Sequence, residues 1–226
     1  MGANTIAVIP AYNEANTIGP VIDETADHVD SVAVVDDASN DMTSAIAQDH
    51  GATVISHAIN TGVGGAVRTG YLYAIRNDYD FIVQIDADGQ HDPSYIPELL
   101  EKAKNYDMVI GSRYLNDSYK DYSLIRNIGI QFFTTVVNVL GGLDITDVTS
   151  GFRIYRVDRL EEILHHSDSH WAVEQTLSAA KQGLETTEVS VEMPTRDEGE
   201  SQFTLDTFAL YPIRMADVLL RILIFR

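Results

Sequence analysis

Cysteine is absent from the chain. Disulfides, thiolate metal sites and a cysteine nucleophile are therefore excluded, and the composition suits a cytoplasmic location. Basic residues are scarce: 15 Lys and Arg stand against 34 Asp and Glu in 226 residues, a formal net charge of -19. Such a surface repels nucleic acid and anionic lipid wherever basic side chains are not clustered, so no nucleic-acid partner is expected. It also makes a divalent cation useful wherever a phosphate must sit. The acidic residues run along the whole chain instead of forming a tail, a distribution suited to high salt, where charges are screened over roughly 3 Å at 1 M. A salt-loving source is expected. Long apolar runs are missing too: neither Leu124–Leu143 nor Leu205–Arg226 reaches about 18 uninterrupted apolar residues, so a spanning helix is not expected. The opening run Thr5–Pro10 lacks the basic start and the length of a signal-peptide core and reads as a buried strand.

What is present is a hydrophobic fraction of 45%, enough for one domain with a sizeable core. Short apolar runs at Ile6–Ile9, Ser31–Val35, Thr53–Ser56, Phe81–Ile85 and Met108–Ile110 read as strands. Segments of helical period separate them: one from Ile18, one over Asp41–Asp49 stopped by Gly51, one over Gly65–Asn77, and one starting near Pro93. This alternation predicts an α/β fold with a mostly parallel central sheet flanked by helices. Further on, Val157–His165 and Ala172–Gln182 read as helices and Glu188–Met193 as a strand. No repeat or low-complexity linker interrupts the chain. The expected division is one domain over 1–203, followed by an apolar, Arg-containing C-terminal helix over 204–226.

Chemistry concentrates at strand ends. Asp86-Ala87-Asp88-Gly89-Gln90-His91 follows the strand Phe81–Ile85. Two carboxylates at i and i+2 project to one side, and ligands of open α/β sheets bind beyond the carboxyl ends of strands. Hard oxygen ligands suit Mg²⁺ or Mn²⁺, with phosphate oxygens and water completing the shell. An acidic turn between strand and helix is the plainer alternative. Asp36-Asp37 ends the second strand, where a carboxylate can accept from the N–H groups of a nucleobase or cap the next helix through Ser39, Asn40 or Asp41. Pro10-Ala11-Tyr12-Asn13-Glu14 leaves the first strand and offers a flat ring and an acceptor for hydroxyls. Gly62, Gly64, Gly65 and Gly70 do not make a dinucleotide fingerprint, because Val67 stands where Gly or Ala is needed; a helix start and close helix packing explain them better.

Taken in order, Pro10–Glu14, Val35–Asp41, Asn60–Ala66, Asp86–His91 and Gly111-Ser112-Arg113-Tyr114 resemble the motifs of family 2 inverting glycosyltransferases of the GT-A fold. The run Asp147-Val148-Thr149-Ser150-Gly151-Phe152-Arg153 is similar to the dolichyl-phosphate mannose/glucose synthase-like branch. The resemblance covers about residues 4–202 and implies a hexosyltransferase moving a sugar from a nucleotide-diphosphate donor (GDP-mannose or UDP-glucose type) to a polyprenyl (dolichyl) phosphate, feeding protein or surface glycosylation. It places Pro10, Tyr12, Glu14, Val35 and Asp37 at the nucleoside, Asp86, Ala87, Asp88 and Gln90 at the metal and donor, and Arg113 and Arg126 at phosphates. Asp88, Arg113 and Arg126 then carry catalysis. Arg126 and Arg153 are candidate clamps for the acceptor phosphate, the alternative for Arg153 being a structural pair with Asp147. Arg196 falls in a loop that closes over the donor; the family's loop ends Ser-Lys, whereas Gln202 takes the Lys position here.

A phosphate acceptor is largely ionised near neutral pH, since its second proton leaves near roughly pH 6, and so needs positioning more than a base. A glycan hydroxyl would need one, with Asp147 or Asp144 as candidates. A non-catalytic nucleotide-sugar-binding subunit at the membrane is a further alternative. The apolar segments Leu124–Leu143 and Leu205–Arg226 suit either core helices or an interfacial surface. The expectation is a peripheral protein on the cytoplasmic face of the cell membrane, attached to the surface or a membrane partner through the C-terminal helix.

Overall fold

A computed structural model describes residues 3–115, 124–164 and 170–193, less the side chains of 124–126 and 162. Strands β1 (Thr5–Ala11), β2 (Ser31–Asp36), β3 (Thr53–Ser56), β4 (Phe81–Gln84), β5 (Met108–Ser112), β6 (Arg153–Arg156) and β7 (Thr186–Ser190) form a seven-stranded sheet in the order β3-β2-β1-β4-β6-β5-β7. Every pairing is parallel except those of β6, which runs against both β4 and β5. The helices are α1 (Ile18–Ala26), α2 (Thr43–Asp49), α3 (Val63–Arg76), α4 (Ile96–Ala103), α5 (Leu124–Gly141), α6 (Val157–Leu160) and α7 (Trp171–Lys181).

All seven residues of β1 are buried because both faces of the sheet are covered. Ile6 and Val8 join the core under α3, α5 and α7 through Tyr71, Val137 and Leu177. Ala7 and Ile9 face the opposite core, built with Ile18, Ile22, Ala47 and Leu99 of α1, α2 and α4. The helix α3 lies close against the sheet: a Cβ on Gly70 would come within 2.2 Å of Val8 Cγ1. Gly62, with φ 82°, starts that helix.

The elements expected up to β5 are present. β7 begins two residues earlier than expected and ends at Ser190, and the helix expected over Val157–His165 is α6 followed by a 3₁₀ turn at Glu161–Ile163. The strand β6 was not expected. Reversing it has a functional consequence. Its leading loop, residues 144–152, arrives at the same sheet edge as the carboxyl ends of β1, β2, β4 and β5.

The apolar segment from Leu124 forms α5. Phe133 and Val137 enter the core, while Ile128, Phe132 and Val139 are 60%, 58% and 76% exposed, a face left to the outside. Among the described residues no helix is long and apolar enough to cross a membrane. The C-terminal helix expected over 204–226 lies outside the described residues, as do Arg196 and Gln202.

Candidate active site

The strand order turns back between β1 and β4, and a crevice for ligands is expected there, at the carboxyl ends of the strands of an open α/β sheet. Two loops form one wall. Asp37 N–H donates to Ala11 O at 2.9 Å, Asn13 N–H to Ser39 Oγ at 2.9 Å and Asn40 N–H to Asn13 Oδ1 at 2.8 Å, binding the β1 and β2 loops together. This latch holds Asn13 and Ala38 at φ 56° and 63°, a conformation that costs a non-glycine residue roughly 1–3 kcal/mol. Pro10 and Val35 are buried at the strand ends, and Tyr12 projects with 44% exposure. Glu14 Oε2 accepts from Thr17 Oγ1 at 2.9 Å.

Asp37 is almost fully buried and its carboxylate is engaged by this chain. Oδ1 meets His57 Nδ1 at 2.7 Å and accepts from Thr61 N–H at 2.8 Å and Thr61 Oγ1 at 2.9 Å; Oδ2 accepts from Gly62 N–H at 2.8 Å. Burial alone would raise its pKa, but the bonds from Thr61, His57 and Gly62 outweigh that and hold it below the ordinary value. Asp37 thus fixes the 57–62 loop against β2. Asp36, its neighbour, accepts from Ser39 N–H at 3.1 Å and from Ser44 Oγ, the turn-forming role expected of an acidic residue before a helix.

The opposite wall carries Asp86 and Asp88. The Asp86 N–H donates to His91 Nδ1 at 3.1 Å, which folds the run Asp86–His91 into a tight turn and leaves Nε2 of His91 as the protonated nitrogen, 3.8 Å from Asp86 Oδ2. His91 is stacked on Phe152 with ring centroids 5.2 Å apart. Gln90 N–H donates to Asp88 Oδ1 at 3.1 Å, and Gly89 takes φ 73° at the turn. The Asp86 side chain keeps 36% exposure on the crevice side. Elsewhere it is enclosed, and a Cβ on Gly151 would stand 2.8 Å from its Oδ2. Enclosure raises the Asp86 pKa; His91 opposes this and the charge of Asp88 adds to it. Two carboxylates that resist sharing a site, with the Asp86 side chain partly open, fit a hard divalent ion, although among the described residues no group of three acidic or His side chains could hold a metal unaided. Asp86 and Asp88 would hold it, with Gln90 beside them, leaving the remaining positions to phosphate and water; the ion would neutralise charge on a leaving diphosphate.

Arg113 follows β5 and is 6% exposed. Its Nε donates to Asp147 Oδ2 at 2.6 Å and its Nη2 to Asp147 Oδ1 at 2.8 Å and to Thr149 Oγ1 at 2.8 Å. Asp147 is wholly buried; burial would raise its pKa, but the Arg113 charge and hydrogen bonds prevail and hold it below the usual carboxylate range. A carboxylate so bound is a poor proton acceptor, which counts against Asp147 as a base toward a hydroxyl acceptor.

Arg153 is corrected by the structure. It is completely buried in β6, and its partner is not Asp147. Nε donates to Ser150 O at 2.7 Å, Nη2 to Val148 O at 2.8 Å and Nη1 to Thr176 Oγ1 at 3.1 Å, with the guanidinium 5.4 Å from the Trp171 ring. It holds the 147–152 loop from inside, its guanidinium engaged by these internal partners and closed to solvent, which leaves it unsuited to clamp an acceptor phosphate. Arg126 falls in the first turn of α5, its side chain outside the described part.

Three residues given no role in the sequence reading belong to this edge: His91, Gly151 and Glu188. The first two lie inside quoted motifs, so their neighbours flagged them. Glu188 lies on β7, and nothing local marks it. Beside Tyr114 and Thr146 a cavity of about 390 Å³ opens against α5, lined by uncharged polar groups that include Asn127, Gln131 and Thr134.

The sheet order with its single reversed strand, and the paired carboxylates beyond β4, define a glycosyltransferase of the GT-A fold. The chain belongs to glycosyl transferase family 2, whose profile matches residues 6–164. It is 31% identical over 211 residues to an undecaprenyl-phosphate mannosyltransferase of Micrococcus luteus, covering 88% of this chain and 87% of that one. It is 30% identical to a polyprenol monophosphomannose synthase of Mycolicibacterium smegmatis, covering 88% and 81%. With a UDP-N-acetylglucosamine–dolichyl-phosphate N-acetylglucosaminyltransferase of Methanococcus voltae it shares 31% identity over 68% and 70%. Among solved structures, glucosyl-3-phosphoglycerate synthase of Mycobacterium tuberculosis in complex with UDP superposes with a TM-score of 0.72 at 20% identity, covering 97% of this chain and 79% of that one. The same enzyme with Mn²⁺, UDP and glucosyl-3-phosphoglycerate gives 0.69 at 20% identity.

Proposed function

We propose that this glycosyltransferase moves a hexose from a nucleotide-diphosphate sugar to a polyprenyl phosphate with inversion at the anomeric carbon, assisted by Mg²⁺ or Mn²⁺ on Asp86 and Asp88. The carrying observation is the buried Arg113–Asp147 pair. Asp147, one of the two carboxylates considered as a base, is bound to a guanidinium and fully enclosed, and Asp144, the other, is exposed. A phosphate oxygen attacks without a base, and a hydroxyl does not. The names of the three relatives carry the same acceptor class, and the Mn²⁺ and UDP of the solved synthase complexes support a divalent ion and a nucleotide donor.

Pro10, Tyr12, Glu14, Val35 and Asp37 line the nucleoside end of the crevice, and Ala87 and Gln90 lie along the diphosphate. Arg113 is assigned to the phosphates, and the family resemblance gives the same role to Arg126 and a donor-closing role to Arg196. The exposed Ile128, Phe132 and Val139 of α5 form an apolar face suited to the acceptor's hydrocarbon at the cytoplasmic face of the membrane, a role the sequence also suggests for the apolar, Arg-containing segment 204–226. The acidic surplus suits a cytoplasm of high salt.

The test is a donor panel of GDP-mannose, UDP-glucose and UDP-N-acetylglucosamine with Mn²⁺ and a short polyprenyl phosphate, run beside a glycan acceptor. Product on the phosphate, of inverted configuration and absent in Asp88→Ala, is expected. Transfer to the glycan alone, abolished in Asp147→Asn, would reverse the reading.

A further inference from the structure

We infer that Glu188, on the edge strand β7, is a positioning residue for this site. It sets the loop that presents both Asp147 to Arg113 and Gly151 to Asp86. Glu188 stands opposite Ile110 of β5 in the sheet register. Its Oε2 accepts from Thr146 N–H at 2.7 Å and its Oε1 from Asp147 N–H at 2.9 Å, and the Thr146 hydroxyl lies 3.0 and 3.1 Å from the two oxygens. One carboxylate therefore satisfies two consecutive backbone donors of a loop far away in sequence. The Thr146 hydroxyl also meets Ser112 Oγ at 2.6 Å, and Ser112 Oγ accepts from Tyr114 N–H at 3.2 Å. The residues on both sides of Arg113 are thus tied into the same network.

From this anchor the chain continues through Asp147, which holds Arg113 in a two-pronged pair, to Gly151, whose Cα hydrogens face the Asp86 carboxylate. A shift of the loop would move the cation and the wall behind the metal-binding carboxylate together. Both oxygens of Glu188 act as acceptors, so a glutamine cannot replace it: its amide nitrogen would face a backbone N–H. An aspartate keeps both acceptors and is shorter by one methylene. The inference rests on the reading of Arg113 as a phosphate-facing residue, and Glu188 itself touches no reactant.

The test is a double-mutant cycle on kcat/KM with Glu188→Gln and Arg113→Lys, together with amide hydrogen exchange at Thr146 and Asp147. Glu188→Gln is expected to lower kcat/KM by about 10-fold or more, in the range found when outer-shell partners of a site are removed. In the Arg113→Lys background it should add little, because the two changes act on one unit. Exchange at Thr146 and Asp147 should accelerate, and Glu188→Asp should retain part of the lost activity. Thr186→Val, on the same strand and away from the loop, should leave kcat/KM unchanged. Effects that multiply in the double variant, or exchange rates equal to wild type, overturn the inference and leave Glu188 a residue of general stability. If wild type releases nucleoside diphosphate from a donor but does not use polyprenyl phosphate, the acceptor reading fails, and the same cycle is scored on donor hydrolysis. A wild-type chain that releases none from any donor with Mn²⁺ overturns both.

Discussion

Asp86 is held between His91, which takes its backbone N–H, and Gly151, which leaves room for its oxygens. The Gly151 requirement is one of space, since an added Cβ would stand 2.8 Å from Oδ2. Gly151→Ala is expected to weaken Mn²⁺ binding and kcat/KM by roughly 10–100-fold, the range for groups that orient metal ligands. Isothermal titration of the ion against wild type checks it; equal affinities would show that Asp86 turns away from the added methyl without loss. Ala38 is the reverse case. Its φ of 63° strains any residue with a Cβ, so Ala38→Gly should gain about 0.5–1 kcal/mol in urea unfolding, provided the latch between the β1 and β2 loops is kept. At this scale the sequence made the paired carboxylates legible, because Asp86 and Asp88 sit directly after an apolar strand and both lie at one edge. It did not distinguish Arg113 from Arg153. Which arginine meets Asp147 depends on contacts 34 residues apart and on β6 turning Arg153 into the core.

The strands β1, β2, β4 and β5 could be read because each is a run bounded by turns and largely buried between two helix layers, and the edge strand β3, with no buried residue, because its short β-branched run follows the stop at Gly51. The strand β6 could not. It is four residues long, carries Arg at both ends and lies in the middle of the sheet, where a charged residue is normally costly. The cost is met by three hydrogen bonds and a tryptophan face, all supplied by residues distant from β6 or by the loop before it. Packing between elements makes its own demand at Gly70, where α3 rests on β1. Gly70→Ala forces Val8 or the helix to move, and a loss of about 1–3 kcal/mol is expected from overpacking. Between β5 and the loop before β6, the Arg113–Asp147 pair predicts a pH dependence. The folded pKa of Asp147 is depressed below an unfolded value of about 3.9, so the pair contributes stability above that pH and loses it as the pH falls through the folded value. Asp147→Asn, which leaves Arg113 buried without its counter-charge, should cost about 3–5 kcal/mol at neutral pH. The gap to wild type should close on acidification below about pH 4. Denaturant titrations over a pH series measure it, and a gap that stays constant would mean that the pair's charge is not what stabilises the edge.

Across the whole molecule the acidic surplus dominates. A net charge of -19 on 226 residues opposes compaction, and the ion pairs among the described residues engage few of the acids. At about 0.1 M salt this repulsion reaches roughly 10 Å, and at about 1 M roughly 3 Å, so neighbouring carboxylates cease to sense one another. The melting temperature should therefore climb with KCl between these concentrations. Salt also strengthens apolar burial, so a climb alone does not identify the cause. Removing charge separates the two. Glu24, Asp27 and Asp49 are exposed on or just after α1 and α2, far from the crevice. Replacing them with Gln, Asn and Asn leaves the buried area nearly untouched and lowers the charge by three. If self-repulsion governs, the triple variant is more stable than the parent at low salt, and the difference vanishes at high salt. Two parallel curves would instead place the salt dependence in the hydrophobic core, and the acidic surface would then serve solubility without limiting stability.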